Sequence, residues 1–187
     1  MAQKEAIKIY RRLFLPDPEK IGFRYPHELS GGQLQRAMVA MAMSCEPQII
    51  VFDEPTTALD VTVQAQILDL MHRLKDDFST AIQLITHDLG VIAENCDHVV
   101  VMYAGRIAET ADVRSLFSHP LHPYTKGLLT SIPSRAKTAK ALLPTIEGSV
   151  PSLSDMPNGC RFAGRCPLAK DLCRQVLPLE KPVGKGR

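Results

Sequence analysis

Two stretches decide the fold: Leu29-Ser30-Gly31-Gly32-Gln33-Leu34-Gln35-Arg36, and after it Ile49-Ile50-Val51-Phe52-Asp53-Glu54-Pro55. Ser30 with Gln33 three residues on has the spacing of a capping box, and the alanine- and methionine-rich Leu34–Ser44 continues as a buried helix. Gly31 and Gly32 leave the backbone bare, so a phosphate can reach N–H groups at the positive end of the helix dipole. The Ser30 hydroxyl and Gln33 can add side-chain hydrogen bonds. The run Gln48–Phe52 reads as a parallel strand covered on both faces. Asp53 and Glu54 then fall at its carboxyl end, where ligands bind in open α/β sheets. Singly, Gly-Gly is a turn before an ordinary helix and Asp-Glu an acidic strand-to-turn junction. Their order and proximity carry the functional reading.

Working outward, residues 1–14 place Ile7, Tyr10, Leu13 and Phe14 at helical spacing, ended by Pro16-Asp17-Pro18. Downstream, a helix is expected from Val61 to Phe78, with Ile67, Met71, Leu74 and Phe78 on one stripe. Ala81–Ile85 reads as a second buried strand, Leu89–Cys96 as a helix and Val99–Tyr103 as a third strand. This alternation is that of an α/β sheet with right-handed crossovers. After Phe117 the texture changes, with prolines at 120, 123, 133, 144, 151, 157, 167, 178 and 182. A boundary near 118, a short helix around Tyr124–Ser131 and a loop-rich module beyond it are expected.

Composition bounds the alternatives. A net charge of +2 gives no global argument for nucleic acid, and aromatic residues at 5% with no Trp argue against a base-stacking platform. No apolar run reaches the length of a membrane span, and Ala2–Arg12 lacks the apolar core of a signal peptide. A cytosolic setting is therefore expected, with the five cysteines as thiols or ligands rather than disulfides. Cys45 and Cys96 are expected to be buried thiols.

The two opening motifs resemble the signature motif and Walker B strand of ATP-binding-cassette (ABC) ATPases. Thr57-Ala58-Leu59-Asp60 is similar to that family's D-loop, although Asp60 before Val61 also suits a helix N-cap. His87, following Leu84-Ile85-Thr86, is similar to its switch histidine. The fold implied is a partial P-loop NTPase with part of the helical subdomain. Its portions are residues 1–46 (helical subdomain with the signature), 47–118 (RecA-like core) and 119–187 (extension). In this family two nucleotide-binding domains face each other head to tail around ATP. The resemblance implies Ser30, Gly31, Gly32 and Gln33 on the γ-phosphate in trans, with Asp60 among the nucleotide-binding residues. It implies Asp53 on Mg²⁺ through water, Glu54 as the base toward the attacking water and His87 as the switch. The G-x-x-x-x-G-K-[ST] loop of the family does not occur in this sequence. It is expected to precede residue 1, and the 187-residue chain alone is expected to show negligible ATPase activity.

The C-terminal stretch narrows the resemblance. His119-Pro120-Leu121-His122-Pro123-Tyr124-Thr125 and Gly159-Cys160-Arg161-Phe162-Ala163-Gly164-Arg165-Cys166-Pro167 look like the tail of oligopeptide/dipeptide importer ATPases. Some members of the family that the chain resembles hold a [4Fe–4S] cluster here through four cysteines. This chain has Cys160, Cys166 and Cys173, with five and six residues between them, and ends about where a fourth would be expected. The alternative is three unligated thiols. The partners implied are a second ABC ATPase subunit, two membrane permease subunits and, through the complex, an extracytoplasmic peptide-binding protein. The setting implied is the cytoplasmic face of the inner membrane, with peptide or nickel as cargo. Two rivals stand beside this reading: a non-transport ABC ATPase, and a non-catalytic fragment that binds a metal or a partner.

Overall fold

The computed structural model describes residues 2–57, 59–132 and 144–184. Met1, Ala58, Pro133 and Lys185-Gly186-Arg187 lie outside them. By packing, the chain divides into a unit of Met1–His87 and a unit of Asp88–Arg187. The second therefore includes Val99–Tyr103, which the sequence reading grouped with the ATPase core.

In the first unit, α1 (Ala2–Arg12), α2 (Gly31–Met43) and α3 (Val61–Phe78) accompany β1 (Ile49–Asp53) and β2 (Ala81–Ile85). The strands pair in parallel from Ile49 with Ala81 to Asp53 with Ile85. The core is formed by Leu13, Val39, Ala40, Met43, Ile50, Phe52, Ile67, Leu70, Met71 and Leu74. The stripe expected on α3 is thus its buried face. Ser79, in the left-handed conformation at φ 52°, terminates that helix.

Two expectations need correction here. β1 is not covered on both faces: Ile50 and Phe52 are buried, but Ile49 is 61% and Val51 55% exposed. β2 likewise has no fully buried residue. Helices cover one face of this two-stranded sheet, and the described residues of the unit leave the apolar residues of the other open. Nor is α2 buried all round, since Met38 and Met41 face solvent while Val39, Ala40 and Met43 face the core. Cys45 is exposed and Cys96 only half-buried, because each sits just past a helix end rather than on its inner face.

In the second unit the third strand does not join a parallel sheet. β3 (His98–Tyr103) pairs antiparallel with β4 (Arg106–Asp112) as a separate hairpin, after α4 (Leu89–Asn95). Ala104 and Gly105 both take positive φ, 47° and 75°, so a two-residue turn with the twist of a hairpin returns the chain onto its neighbour. α5 (Val113–Ser118) packs Leu116 onto Val99, Val101 and Ala111. α6 (Pro123–Thr130) follows, capped by His122, whose imidazole accepts the Tyr124 N–H at 3.1 Å. Burial holds that imidazole below the usual histidine range, against the opposing pull of Glu109. Its folded pKa is therefore depressed, so this contribution to stability is present above the ordinary histidine range and lost as the pH falls through the lowered value.

The loop-rich stretch beyond α6, ending with α7 (Asp171–Gln175), is pinned by side chains rather than by strands. Phe162 packs edge-on against Tyr103 with ring centroids 5.1 Å apart and lies 5.5 Å from the Tyr124 ring. Arg165 donates to the carbonyls of Glu147 and Ile146 at 2.9 and 2.7 Å and reaches the Tyr103 hydroxyl at 3.3 Å. Arg161 donates to the Ala104 carbonyl in the hairpin turn. The nearly buried Glu109 of β4 accepts the N–H groups of Leu121 and His122, both at 2.9 Å. Replacing it by alanine strands both donors, and Glu109→Ala is expected to destabilise by about 1–3 kcal/mol. Chemical denaturation of the variant checks this; an unchanged midpoint would remove Glu109 as the tie to α6.

Candidate functional site

α2 begins where the sequence reading placed it. The Gln33 N–H donates to Ser30 Oγ at 3.3 Å and the Ser30 N–H to Gln33 Oε1 at 3.1 Å, closing the capping box. Gly32 permits close approach of α2 to α3, since a Cβ there would lie 3.2 Å from Val63 Cγ1. Asp60 caps α3 by accepting the Val63 N–H at 2.9 Å. Both helix starts open into one concavity of about 500 Å³, whose walls include Ser30, Gly31, Gly32, Gln33, Asp60 and Gln66. Arg36 is also on its wall, bonded to the Phe14 carbonyl at 3.1 Å and to Gln66 Oε1 at 3.0 Å. The bare glycines at the start of α2 and the Arg36 guanidinium suit an anionic ligand, whereas the start of α3 is already taken by the Asp60 carboxylate.

A second cluster forms at the carboxyl end of β1. Asp53 is exposed there. Glu54 follows at φ 49°, a left-handed conformation that disfavours a residue with a Cβ. It is held there by its own N–H on the Ile85 carbonyl at 2.9 Å and by the Thr57 N–H on its carbonyl at 3.2 Å. His87 Nδ1 stands 2.8 Å from Glu54 Oε1, and the Thr57 hydroxyl donates to Oε2. These two bonds, His87 first, hold the Glu54 carboxyl below its ordinary pKa of 4.5. Asp53, Glu54 and His87 do not line the cavity of the first cluster.

Of the expected residues, Ser30, Gly31, Gly32, Gln33 and Asp60 therefore come together, and Asp53, Glu54 and His87 come together separately. The Thr57 bond to Glu54, the Arg36–Gln66 wall and a bond from Gln35 to the Pro55 carbonyl (2.8 Å) were not read from sequence. The first is made within one turn, whereas only the packing of distant elements creates the other two.

Of the two readings of the cysteine trio, the placement of its residues favours unligated thiols. The Cys160 N–H donates to the Cys173 carbonyl at 2.7 Å, and the Lys170 N–H reaches Cys173 Sγ at 3.5 Å. Among the described residues, however, no three His, Cys, Asp or Glu side chains are grouped to hold a metal ion. As placed, the trio does not fit an iron–sulfur cluster.

Comparison with known proteins agrees with the motif order. Residues 1–57 match the ABC transporter family model, and residues 108–173 match that of the oligopeptide/dipeptide transporter C-terminal region. The chain is 52% identical over 172 residues to the oligopeptide transport ATP-binding protein AppD of Bacillus subtilis, covering 92% of this chain and 52% of AppD. It is 49% identical over 179 residues to OppD of Salmonella typhimurium, an oligopeptide transport ATP-binding protein, covering 96% and 53%. Among solved structures, an ATP-binding cassette dimer in a post-hydrolysis state with ADP and Pi matches with a TM-score of 0.50 and 28% identity. That match covers 59% of this chain and 47% of the other. The chain belongs to the ABC transporter ATP-binding proteins. Within them it falls in the oligopeptide/dipeptide branch, spanning about half the length of the curated relatives it matches.

The Glu54 carboxyl gives a direct test. Its folded pKa is depressed, so the ties contribute stability above the ordinary glutamate range and lose it as the pH falls through the lowered value. His87→Ala should raise the Glu54 pKa toward its ordinary value, and Thr57→Val should raise it less. Carboxyl-resolved NMR titration measures both; equal or reversed shifts would contradict the order of the two bonds.

Proposed function

We propose that this chain supplies the γ-phosphate-contacting signature and the catalytic carboxylate of an ATPase subunit that powers peptide import. The observation that carries the reading is the pairing of His87 with Glu54 beside the exposed Asp53, apart from the Ser30–Gln33 cavity. A single nucleotide bound at the carboxylate cluster would leave that cavity free for another, which suits a head-to-tail pair of subunits. In this reading Ser30, Gly31, Gly32 and Gln33 meet the terminal phosphate of the nucleotide held by the second subunit, while Asp60 caps the start of α3 on the same cavity. Asp53 would hold Mg²⁺ through water, and the cation supplies charge neutralisation at the phosphates. Glu54 orients or deprotonates the attacking water, while His87 holds the carboxylate and senses the terminal phosphate.

Peptide transport rather than a non-transport ABC ATPase is supported by the match of residues 108–173 and by the identity to AppD and OppD. The partners proposed are a second ATPase subunit, two membrane permeases and an extracytoplasmic peptide-binding protein, with the chain peripheral on the cytoplasmic face of the inner membrane. Among the described residues no helix is long and apolar enough to cross a membrane itself. An iron–sulfur cluster forms no part of the proposal, because the thiols as placed do not converge.

The test is made in the complete subunit carrying these residues. Glu54→Gln is expected to keep ATP binding and lose most turnover, by about 10²-fold or more in kcat. Steady-state hydrolysis and nucleotide-binding measurements check it, and an unchanged kcat would remove Glu54 from the chemistry.

A further inference from the structure

Gln35 lies just past the glycines of α2 and takes no part in the capping box. Its Nε2 donates to the Pro55 carbonyl at 2.8 Å, across twenty residues of sequence. Its Oε1 is buried, and among the described residues no donor reaches it. A methionine or leucine would fill similar space without burying an unpaired acceptor, so packing alone does not account for an amide here. What the amide supplies is the donor to Pro55, the residue that follows the left-handed Glu54.

That carbonyl is a sensitive place to hold. Glu54 keeps φ at 49° through its N–H on Ile85, its carbonyl toward Thr57 and its carboxylate toward His87 and Thr57. Each of these fixes Glu54 from the β2 side or from within the turn. The Gln35 bond fixes the turn from α2, the helix whose first residues form the Ser30–Gln33 cavity. A non-glycine residue in this region persists only where its surroundings over-determine it.

We infer that Gln35 is a positioning residue: its bond to the Pro55 carbonyl ties the phosphate-facing start of α2 to the turn that aims the Glu54 carboxylate. The inference rests on the ATPase reading above. It makes the two clusters mechanically dependent within one chain. Displacement of α2 by a ligand in the cavity is passed to Glu54, and loss of the bond lets Glu54 relax toward ordinary φ.

The experiment compares Gln35→Leu and Gln35→Glu in the complete subunit, with wild type and Glu54→Gln as references. Gln35→Leu should lower kcat by about five-fold or more, while the KM for ATP stays within about two-fold, because the carboxylate is misaimed and the binding groups are untouched. Its melting temperature should stay near that of wild type. Gln35→Glu sets an oxygen against the Pro55 carbonyl and restores a donor only when protonated. Its kcat relative to wild type should therefore rise as the pH is lowered toward about 5. Wild-type kcat in Gln35→Leu, or a Gln35→Glu ratio that stays flat with pH, overturns the inference. A fall in kcat and melting temperature together, with a flat ratio, assigns Gln35 to stability and overturns it as well. If wild type hydrolyses no ATP, or Glu54→Gln hydrolyses it at the wild-type rate, the ATPase reading fails first and takes this inference with it.

Discussion

The register of β1 against β2 is the constraint on which the site depends. Asp53 sits opposite Ile85, so Glu54, the first residue past β1, and His87, the second past β2, emerge side by side. A parallel pair advances about 3.3 Å per residue, and a slip of one residue would also turn every side chain to the other face. Slippage is resisted because Ile50 and Phe52 must both reach the core. The buried Thr80 adds a stop at the other end, its hydroxyl donating to the Pro47 carbonyl while the Ala81 N–H meets the Gln48 carbonyl. A carboxylate–imidazole contact of 2.8 Å is thus set by apolar packing several residues away.

Legibility in the sequence followed the range of the forces involved. α3 runs from Val61 to Phe78 as its 3.6-residue stripe and the cap at Asp60 require, and the capping box of α2 is where the Ser30 and Gln33 spacing puts it. Both are local. The strand at Val99–Tyr103 and the turn after it were legible, but their place in a separate antiparallel hairpin was not, because an apolar run does not disclose which edge it will meet. The signal that could have decided it was present in Ala104-Gly105, a two-residue link between strands of similar length. Burial of β1 on both faces was inferred from hydrophobicity alone, which reports what a strand can cover rather than what covers it.

The site was legible for a different reason. Ser30–Gln33 and Asp53–Glu54 are short contiguous motifs whose chemistry is carried by backbone and adjacent side chains, so their roles could be argued before their geometry was known. Gln35 and Arg36 reach from α2 to other elements, and Thr57 reaches back three residues to the Glu54 carboxylate. Their contributions depend on a carbonyl or carboxylate oxygen that only the packed structure brings within reach. The cysteines were legible as a cluster in sequence but not in space, since Pro-rich loops leave the direction of each thiol to tertiary contacts such as Phe162 on Tyr103.

The separation of the two clusters has a genetic consequence. Under the proposed head-to-tail pairing, each chain lends its Ser30–Gln33 wall to one nucleotide and its Glu54 to another. A defective allele therefore damages sites that an intact partner also needs. Where the second subunit is another copy of this chain, such an allele co-expressed with the normal gene would poison mixed assemblies rather than merely dilute them, and its phenotype would be dominant. The severity would track which cluster is hit, because a lesion in the wall and a lesion in the carboxylate of the same chain fall on different nucleotides.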